Sequence, residues 1–253
     1  IIMKEKEYMR LESDSIGTME VPEDAYYGVQ ALRAKENFPI TGTKLHPVFI
    51  KNLAKIKRAA AITNRKAGRL KPEIANAIEA SANEVICGMF DKDFIVDGIQ
   101  GGAGTSANMN MNEVIANRAI EMLCGKKGDY TIVHPNDHVN MAQSTNDVIP
   151  TAGKLTVLDL LKPLDKSLSL LTDALYDKAA EFDPIVKIGR TQLEDAVPMT
   201  LGQTFNGFAS ILKDEILHLN QAAEDFLTVN MGATAIGTGI CAEPGYAEKC
   251  VEA

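Results

Sequence analysis

A long leucine pattern after Pro150 is the feature that most constrains the fold. Its leucines recur at spacings of three and four residues, which is the period of one face of an α-helix. They are Leu155, Leu158, Leu161, Leu164, Leu168, Leu171 and Leu175. Pro163 lies within the pattern, and we expect it to kink the helix rather than end it. A helix of about thirty residues spans about 45 Å, so the pattern predicts an extended helical bundle rather than a small compact domain.

Further helical patterns flank this one. A second long helix is predicted from about Thr200 to Leu227, with an inward face of Phe205, Phe208, Leu212, Leu219 and Phe226. Shorter helices are predicted at 47–68, 72–88 and 108–124, bracketed by prolines and glycines. Strand-like segments are sparse and lie near 17–21 and 184–189.

These patterns predict a mainly α fold in two parts. We expect an α-rich N-terminal domain with minor β structure over 1–143, and the first part of a long-helix bundle over 144–253. Two long helices cannot cover both of their own apolar faces. Either other chains complete the bundle, or a C-terminal part of it follows Ala253.

Composition and charge exclude several classes of partner. The 253 residues carry a formal net charge of −8 and no segregated basic patch, which excludes a nucleic-acid partner. No apolar run reaches the length of a membrane span. The first ten residues lack the apolar core of a signal peptide, and the four cysteines have no CxxC spacing. We therefore expect a cytoplasmic protein with reduced, buried thiols.

Three segments are polar where their flanks are apolar. They read GGAGTSANMN at 101–110, HPNDHVNMAQSTNDVIPTA at 134–152 and GRTQLEDAVPMTLGQ at 189–203. Each is predicted to lie just before a helix, where free backbone N–H groups and the helix dipole favour an anion. Hydroxyls and carboxamides add donors without charge, so three such segments together would suit a small carboxylate.

Other interpretations of these residues stay open. Serine, threonine, asparagine and aspartate before a helix are also ordinary N-caps, and glycines before them are ordinary turns. His134 and His138 have the spacing of a helical metal pair, but Pro135 and the lack of clustered carboxylates or cysteines favour satisfied polar histidines.

The same three segments resemble the fumarase/aspartase superfamily in wording, order and spacing. GTMEVPEDAYYGVQALRAKENFPITG at 17–42 is similar as well, so the resemblance covers nearly the whole chain. DAYYG at 24–28, QSTND at 143–147 and Gln192 after GRT resemble the aspartase branch more than class II fumarases. The resemblance implies conversion of L-aspartate to fumarate and ammonia through an aci-carboxylate, with fumarate hydration to L-malate as the alternative.

Residue roles follow from the resemblance. It implies that Thr105, Ser144 and Thr145 hold the β-carboxylate, with support from Ser106 and Asn108, and that Asn146, Thr191 and Gln192 hold the amino group and α-carboxylate. Arg33 and Arg190 would add positive potential. His134, Asn136 and Asp137 resemble a second carboxylate site of fumarases. No organic cofactor is implied, and activation by Mg²⁺ and a homotetramer with shared active sites are expected.

The group that performs the proton transfer is not among these residues. In the superfamily a serine of a later glycine-serine-serine loop is the base, and we expect that loop beyond Ala253. The chain alone is therefore expected to be inactive and to represent the N-terminal portion of the lyase. A hypothesis of another class is a non-catalytic fragment that acts only in assembly.

Overall fold

The computed structural model describes residues 8–253. The prediction that the N-terminus lacks a signal peptide rests partly on residues 1–7, which lie outside the described residues. The chain packs as two compact units: residues up to Thr156 together with Val229–Ala253 form the first, and Val157–Thr228 form the second. The domain ranges 1–143 and 144–253 concern the arrangement of a longer protein and stay a prediction.

The first unit holds one β-hairpin and most of the helices. Strands β1 (Met9–Ser13) and β2 (Thr18–Pro22) pair antiparallel, in register from Met9 opposite Pro22 to Ser13 opposite Thr18. The helices that follow are α1 (Val29–Asn37), α2 (Pro47–Lys66), α3 (Pro72–Ile86), α4 (Thr105–Met122) and the start of α5 (Thr145–Phe182). A short helix at Tyr246–Glu252 also belongs to this unit. One π-helical turn covers Pro135–Val139.

The predicted starts of α2 and α3 are confirmed, because each helix begins with a proline. A proline lacks only an N–H that the first turn leaves unpaired in any case. His46 completes the start of α2, since its Nδ1 accepts the Val48 N–H at 3.2 Å. The buried stripes of α2, α3 and α4 pack on one another and form the core of this unit, with Leu53, Ile78 and Ile115 at its centre.

Glu113, the single charge in 100–117, has a structural role. Its buried carboxylate accepts the N–H groups of Gly28, Gln30 and Ala31 at 2.8–3.0 Å, at the start of α1. Burial raises the pKa of Glu113 to about 7, although these backbone donors oppose the shift. The carboxylate thus serves as the cap that Gly28 cannot supply.

Helices α4 and α5 begin earlier than predicted. α4 starts at Thr105 rather than near Asn108, and α5 starts at Thr145 rather than after Pro150. Pro150 has no N–H to give to the carbonyl of Asn146, one turn back. The side chain of Asn230 donates to that carbonyl at 3.0 Å instead, which lets the helix accommodate the proline.

The second unit contains the rest of α5, a hairpin and α6. Helix α5 continues past Pro163 to Phe182, as predicted. Strands β3 (Val186–Thr191) and β4 (Glu194–Thr200) pair antiparallel with an irregularity near Gly189, and α6 covers Leu201–Glu224. Thr200 and Gln203 form a reciprocal capping box at the start of α6. The strand near 184–189 is confirmed, whereas β4 was not predicted.

The hairpin corrects the placement of the third polar segment. Thr191 ends β3 and Gln192 lies in the turn, so these two residues precede a strand, and only the end of the segment reaches the start of α6. The leucine stripe of α5 is only partly covered within this chain, as expected for two long helices: Leu164 is 47% exposed and Leu171 50% exposed. Phe208 of α6 is likewise exposed, whereas Phe205 packs edge-on against Phe182 at 5.2 Å between ring centroids.

The mainly α architecture with minor β structure is confirmed. Within residues 8–253, no helix combines the length and apolar character that a membrane crossing requires. All four cysteines are free thiols, as expected, but only Cys250 is buried.

Candidate active site

The first polar segment begins with a glycine loop that leads into α4. Three consecutive residues, Gly102, Ala103 and Gly104, have positive φ angles of 71°, 49° and 96°. The Thr105 hydroxyl donates back to the Gly102 carbonyl at 2.6 Å. Thr105 is exposed and Ser106 half-buried, both in the first turn of α4 rather than before it. The loop therefore presents two hydroxyls at a helix N-terminus.

The second segment forms the start of α5 around Ser144. The Ser144 hydroxyl accepts the Asn146 N–H at 3.2 Å, and Asp147 accepts the Ser144 N–H at 2.9 Å. This reciprocal pair is a capping arrangement, so the N-cap interpretation holds for Ser144. Thr145 stands half-buried at the first position of the helix.

Asn108 joins the two segments. Its side-chain nitrogen, Nδ2, donates to the Thr145 hydroxyl at 3.3 Å and to Asn140 Oδ1 at 3.2 Å. Its own Oδ1 is buried, with no hydrogen-bond partner among the described atoms. A buried acceptor without a donor is costly unless a ligand supplies one. The structure thus brings Asn108 of the first segment into contact with Thr145 of the second. Thr105 and Ser106 lie in the same first turn of α4 as Asn108, and Ser144 and Asn146 flank Thr145 in the chain.

A lysine beneath this junction was not singled out from the sequence. Lys57 of α2 is fully buried, and its Nζ donates to Asn140 Oδ1 at 2.8 Å and Gln143 Oε1 at 2.9 Å. Burial lowers the pKa of Lys57 to about 7, while the charge of Asp147 acts in the opposite direction. The signal was present in its position, because residue 57 shares the buried stripe of Leu53 and Ala60.

A loop near the C-terminal end of the chain also packs against the second segment. Asp147 is buried, and its Oδ2 accepts the N–H groups of Gly232 and Thr234 at 3.2 and 3.0 Å. Asn146 Nδ2 donates to the Ala235 carbonyl at 2.7 Å. The QSTND segment is therefore held by residues about ninety positions later, which no local pattern reveals.

The third predicted segment lies in the second unit. Thr191 and Gln192 are exposed in the hairpin, where Gln192 and Leu193 have φ angles of 48° and 68°. Two adjacent non-glycine residues in the left-handed region mark a strained turn. Arg190 is also exposed on β3. Arg33, in the first unit, is paired with Asp14 through two hydrogen bonds of 3.1 and 3.0 Å, so its charge is balanced locally.

The residues predicted as a second carboxylate site lie at the π-helical turn. His134 Nδ1 accepts the N–H groups of Asn136 and Asp137 at 3.2 and 3.1 Å, so the imidazole caps this turn. His134 and Asn136 line a cavity of about 250 Å³, while Asp137 points mostly to solvent. Glu113 and Asp14 line the same cavity. These two carboxyl groups disfavour the binding of another carboxylate in the cavity. The second carboxylate site therefore stays a prediction.

The metal interpretation of His134 and His138 gains no support from geometry. His138 Nδ1 accepts the His134 N–H at 2.9 Å, and burial lowers the pKa of His138. Both rings use Nδ1 as an acceptor of backbone N–H groups, as satisfied polar histidines do. Over the described part of the chain, no group of three or more histidine, cysteine, aspartate or glutamate side chains could hold a metal ion.

Comparisons with known proteins give a consistent picture. A family model described as "Lyase" matches residues 17–253. Aspartate ammonia-lyase of Bacillus subtilis is 50% identical over 248 residues, which cover 98% of this chain and 52% of that protein. The chain therefore spans about half the length of the curated relatives it matches.

Two solved structures share the fold. A fumarate lyase:delta crystallin from Brucella melitensis, bound to cobalt, matches with a TM-score of 0.92 at 48% identity, over 97% of this chain and 54% of that chain. A class II fumarase from Schistosoma mansoni matches with a TM-score of 0.88 at 37% identity, over 96% and 51%. The expected fumarase/aspartase-like fold is confirmed.

Proposed function

The chain belongs to the lyase family, and within it we propose that the protein of which these residues are part is an aspartate ammonia-lyase. It would convert L-aspartate to fumarate and ammonia. The 50% identity to the Bacillus subtilis aspartate ammonia-lyase supports this substrate over L-malate. The similarity to a class II fumarase is lower, at 37% identity.

The observation that carries the proposal is the Asn108 junction. Through its hydrogen bonds, Asn108 connects the start of α4 with the start of α5, where neutral hydroxyl and carboxamide groups lie. Neutral donors, with two helix dipoles behind them, stabilise an anion without a mobile cation. This matters for a dianionic substrate because the chain itself has a net charge of −8.

The proposed reaction proceeds in two steps. A base removes the proton from the carbon beside the β-carboxylate, and the electron pair moves into that carboxylate to give a doubly charged aci-carboxylate. The electrons then return to form the carbon–carbon double bond, and the carbon–nitrogen bond breaks to release ammonia. Thr105, Ser144 and Thr145 would stabilise the added charge, because donors placed where charge develops lower the barrier most.

The remaining roles complete the proposal. Ser106 and Asn108 would support the β-carboxylate group, and Asn146, Thr191 and Gln192 would hold the amino group and α-carboxylate. The base is assigned to a serine beyond Ala253. A cytoplasmic homotetramer with shared sites, no organic cofactor and activation by Mg²⁺ are further parts of the proposal.

The test uses the full-length protein and Ser144→Ala, Thr191→Ala and the control Ser169→Ala on the exposed side of α5. We expect wild-type protein to form fumarate from L-aspartate, followed by ultraviolet absorbance. Ser144→Ala should lower kcat/KM by about 10²-fold, typical of losing one donor to a developing oxyanion. Thr191→Ala should also lower kcat/KM, because the α-carboxylate loses a hydrogen-bond donor that orients the substrate. Helical content should be unchanged, and Ser169→Ala should behave as wild type.

Three results would contradict the proposal or one of its parts. Dehydration of L-malate that exceeds deamination of L-aspartate would support the fumarase function instead. Unchanged kinetics in both Ser144→Ala and Thr191→Ala would remove these residues from the site. Robust turnover by the 253-residue chain alone would contradict the assignment of the base to a later segment.

A further inference from the structure

The side chain of Gln100 bridges the two ends of the glycine loop. Its Nε2 donates to the Asp97 carbonyl at 2.9 Å, and its Oε1 accepts the Ala107 N–H at 2.5 Å. The bridge connects the residues on either side of 101–104, and its second hydrogen bond is to the first turn of α4. One amide therefore fixes both the entry and the exit of the loop.

The loop between these anchors is strained. Gly102, Ala103 and Gly104 all lie in the left-handed region, and Ala103 has a β-carbon that disfavours it. Gly102 and Ala103 are exposed, so little packing holds them. Strained, exposed backbone persists only where its surroundings determine it. The Gln100 bridge is one such constraint.

Gln100 also replaces a missing helix cap. Gly104, the residue before α4, has no side chain with which to cap the helix. Ala107 is the third residue of α4, and its N–H is one that an N-cap side chain ordinarily satisfies. Gln100 supplies that acceptor from outside the helix. The first turn, with Thr105 and Ser106, is therefore set by residue 100 rather than by its own cap.

The anchor at the other end is itself rigid. The Asp97 carboxylate accepts the N–H groups of Thr41, Gly42 and Ile99 at 2.8 Å each. These bonds hold the pKa of the Asp97 carboxyl well below its usual range, together with the hydrogen bond from the Thr41 hydroxyl. The Gln100 bridge thus connects α4 to a fixed turn.

We propose that Gln100 is a positioning residue that sets the orientation of Thr105 and Ser106 toward the substrate carboxylate. This inference rests on the proposed function. It states that the geometry of the first polar segment depends on Gln100. Gln100 does not touch the substrate. It acts through the first turn of α4, where a displacement of about 1 Å costs about 10²-fold in rate.

The experiment uses the full-length protein with Gln100→Met, which keeps the length of the side chain but loses both hydrogen bonds. Gln100→Asn, whose side chain is too short to bridge the loop, is a second variant in case the first does not fold. Gln221→Met, on exposed α6, is the matched control. The readouts are kcat and KM for L-aspartate, competitive inhibition by succinate, and hydrogen exchange of the 101–107 segment.

We expect Gln100→Met to lower kcat/KM by about 10²-fold, to weaken succinate inhibition and to speed exchange at 101–107, but not in α2. The decisive measurement is a double-mutant cycle with Thr105→Ala. If Gln100 acts through the first turn of α4, its substitution should have little further effect in the Thr105→Ala background. Fully additive effects on kcat/KM, or unchanged exchange at 101–107, would overturn the inference.

The cycle separates the two possible failures. If Thr105→Ala leaves kcat/KM unchanged, the proposed role of the first segment fails, and the positioning role of Gln100 fails with it. If Thr105→Ala lowers kcat/KM but neither Gln100 variant does, only the Gln100 inference fails. Gln221→Met should match wild type in every readout.

Discussion

The two units of the chain bury their apolar residues to very different degrees. In the first unit, the core residues of α2 and α4 are almost fully enclosed, as Leu53 and Ile115 are. In the second, α5 and α6 carry equally regular apolar stripes, yet Leu171 and Phe208 are about half exposed. Helical periodicity is thus the same in both units, and only the first supplies neighbours that cover the stripe.

A helical stripe therefore predicts less than the packing around it. An apolar stripe marks the face that will be covered, but it does not identify what covers it. Contiguous exposed apolar surface of this kind is typical of interaction surfaces. It agrees with the proposed homotetramer, in which other chains would cover α5 and α6.

The largest expected effect compares one leucine from each unit. Leu53→Ala should lower the free energy of unfolding of the chain by about 2–5 kcal/mol, because it leaves a cavity in a closed core. Leu164→Ala, in the exposed stripe of α5, should cost less than about 1 kcal/mol. Urea denaturation of both variants measures the difference. Equal losses would show that Leu164 is covered in solution and would break the comparison.

Lys57, the buried lysine of the first unit, should make the free energy of unfolding depend on pH. The folded pKa of Lys57 is about 7 and its ordinary value is 10.5, so between these values only the unfolded chain binds the proton. The free energy of unfolding should therefore rise with pH across this window, by up to about 1.4 kcal/mol per pH unit. Below pH 7 both states carry the proton and the effect levels off.

The measurement subtracts the pH profile of Lys57→Met from that of wild type, using denaturant unfolding. Lys213→Met, at an exposed position of α6, is the control from the second unit and should show no such difference. A flat difference profile for Lys57→Met would show that the buried amine keeps its proton throughout the window.

Two glycines of α6 test a closely packed place in the second unit. A β-carbon on Gly202 would lie 2.7 Å from the Asp183 Cα, whereas one on Gly207 would meet open space. Gly202→Ala should destabilise the chain by about 1–3 kcal/mol through overpacking. Gly207→Ala should stabilise it by about 0.5–1 kcal/mol, since alanine favours a helix. Thermal unfolding gives both values, and the same sign for both would contradict the packing at Gly202.

The smallest expected effect concerns the strained hairpin turn. Leu193 has a φ of 68° and is 95% exposed, so its side chain contributes little packing while its β-carbon strains the turn. Leu193→Gly should stabilise the chain by about 1 kcal/mol. Ala103→Gly is the counterpart in the first unit, with a gain of similar size or less. A loss of stability in either variant, measured by urea denaturation, would show that the β-carbon makes a needed contact.

Much of the fold could be predicted from the sequence. The proline starts of α2 and α3 and the continuity of α5 through Pro163 were all visible as local patterns. The strand β4 was missed for two reasons. Its sequence, EDAVPMT, lacks the alternation of a half-buried strand, and it contains a proline, which is rare inside strands. The early start of α4 was missed because its cap comes from Gln100, outside the helix. The early start of α5 was missed because the helix accommodates Pro150 through Asn230, about eighty residues later in the chain.

The candidate site could be predicted only in part, because local patterns show its polar residues but not their distant partners. The hydroxyls and amides of the first two segments were visible as polar residues in apolar surroundings. Lys57, Asp147 and the loop around Gly232 were not, because their partners lie many residues away in the chain. The resemblance to the fumarase/aspartase superfamily gave the order of the segments, and the structure gave the hydrogen bonds that join two of them.

The sequence is sufficient to predict the helical character of the chain, the family resemblance and the neutral chemistry of the polar segments. Each of these depends on residue type and on spacings within one turn or one motif. Only the tertiary structure decided that Asn108 bonds Thr145, that Lys57 is buried beneath Asn140, and that Asp147 is held by Gly232 and Thr234. These contacts join segments far apart in the chain, and their formation depends on how the helices pack rather than on any local preference.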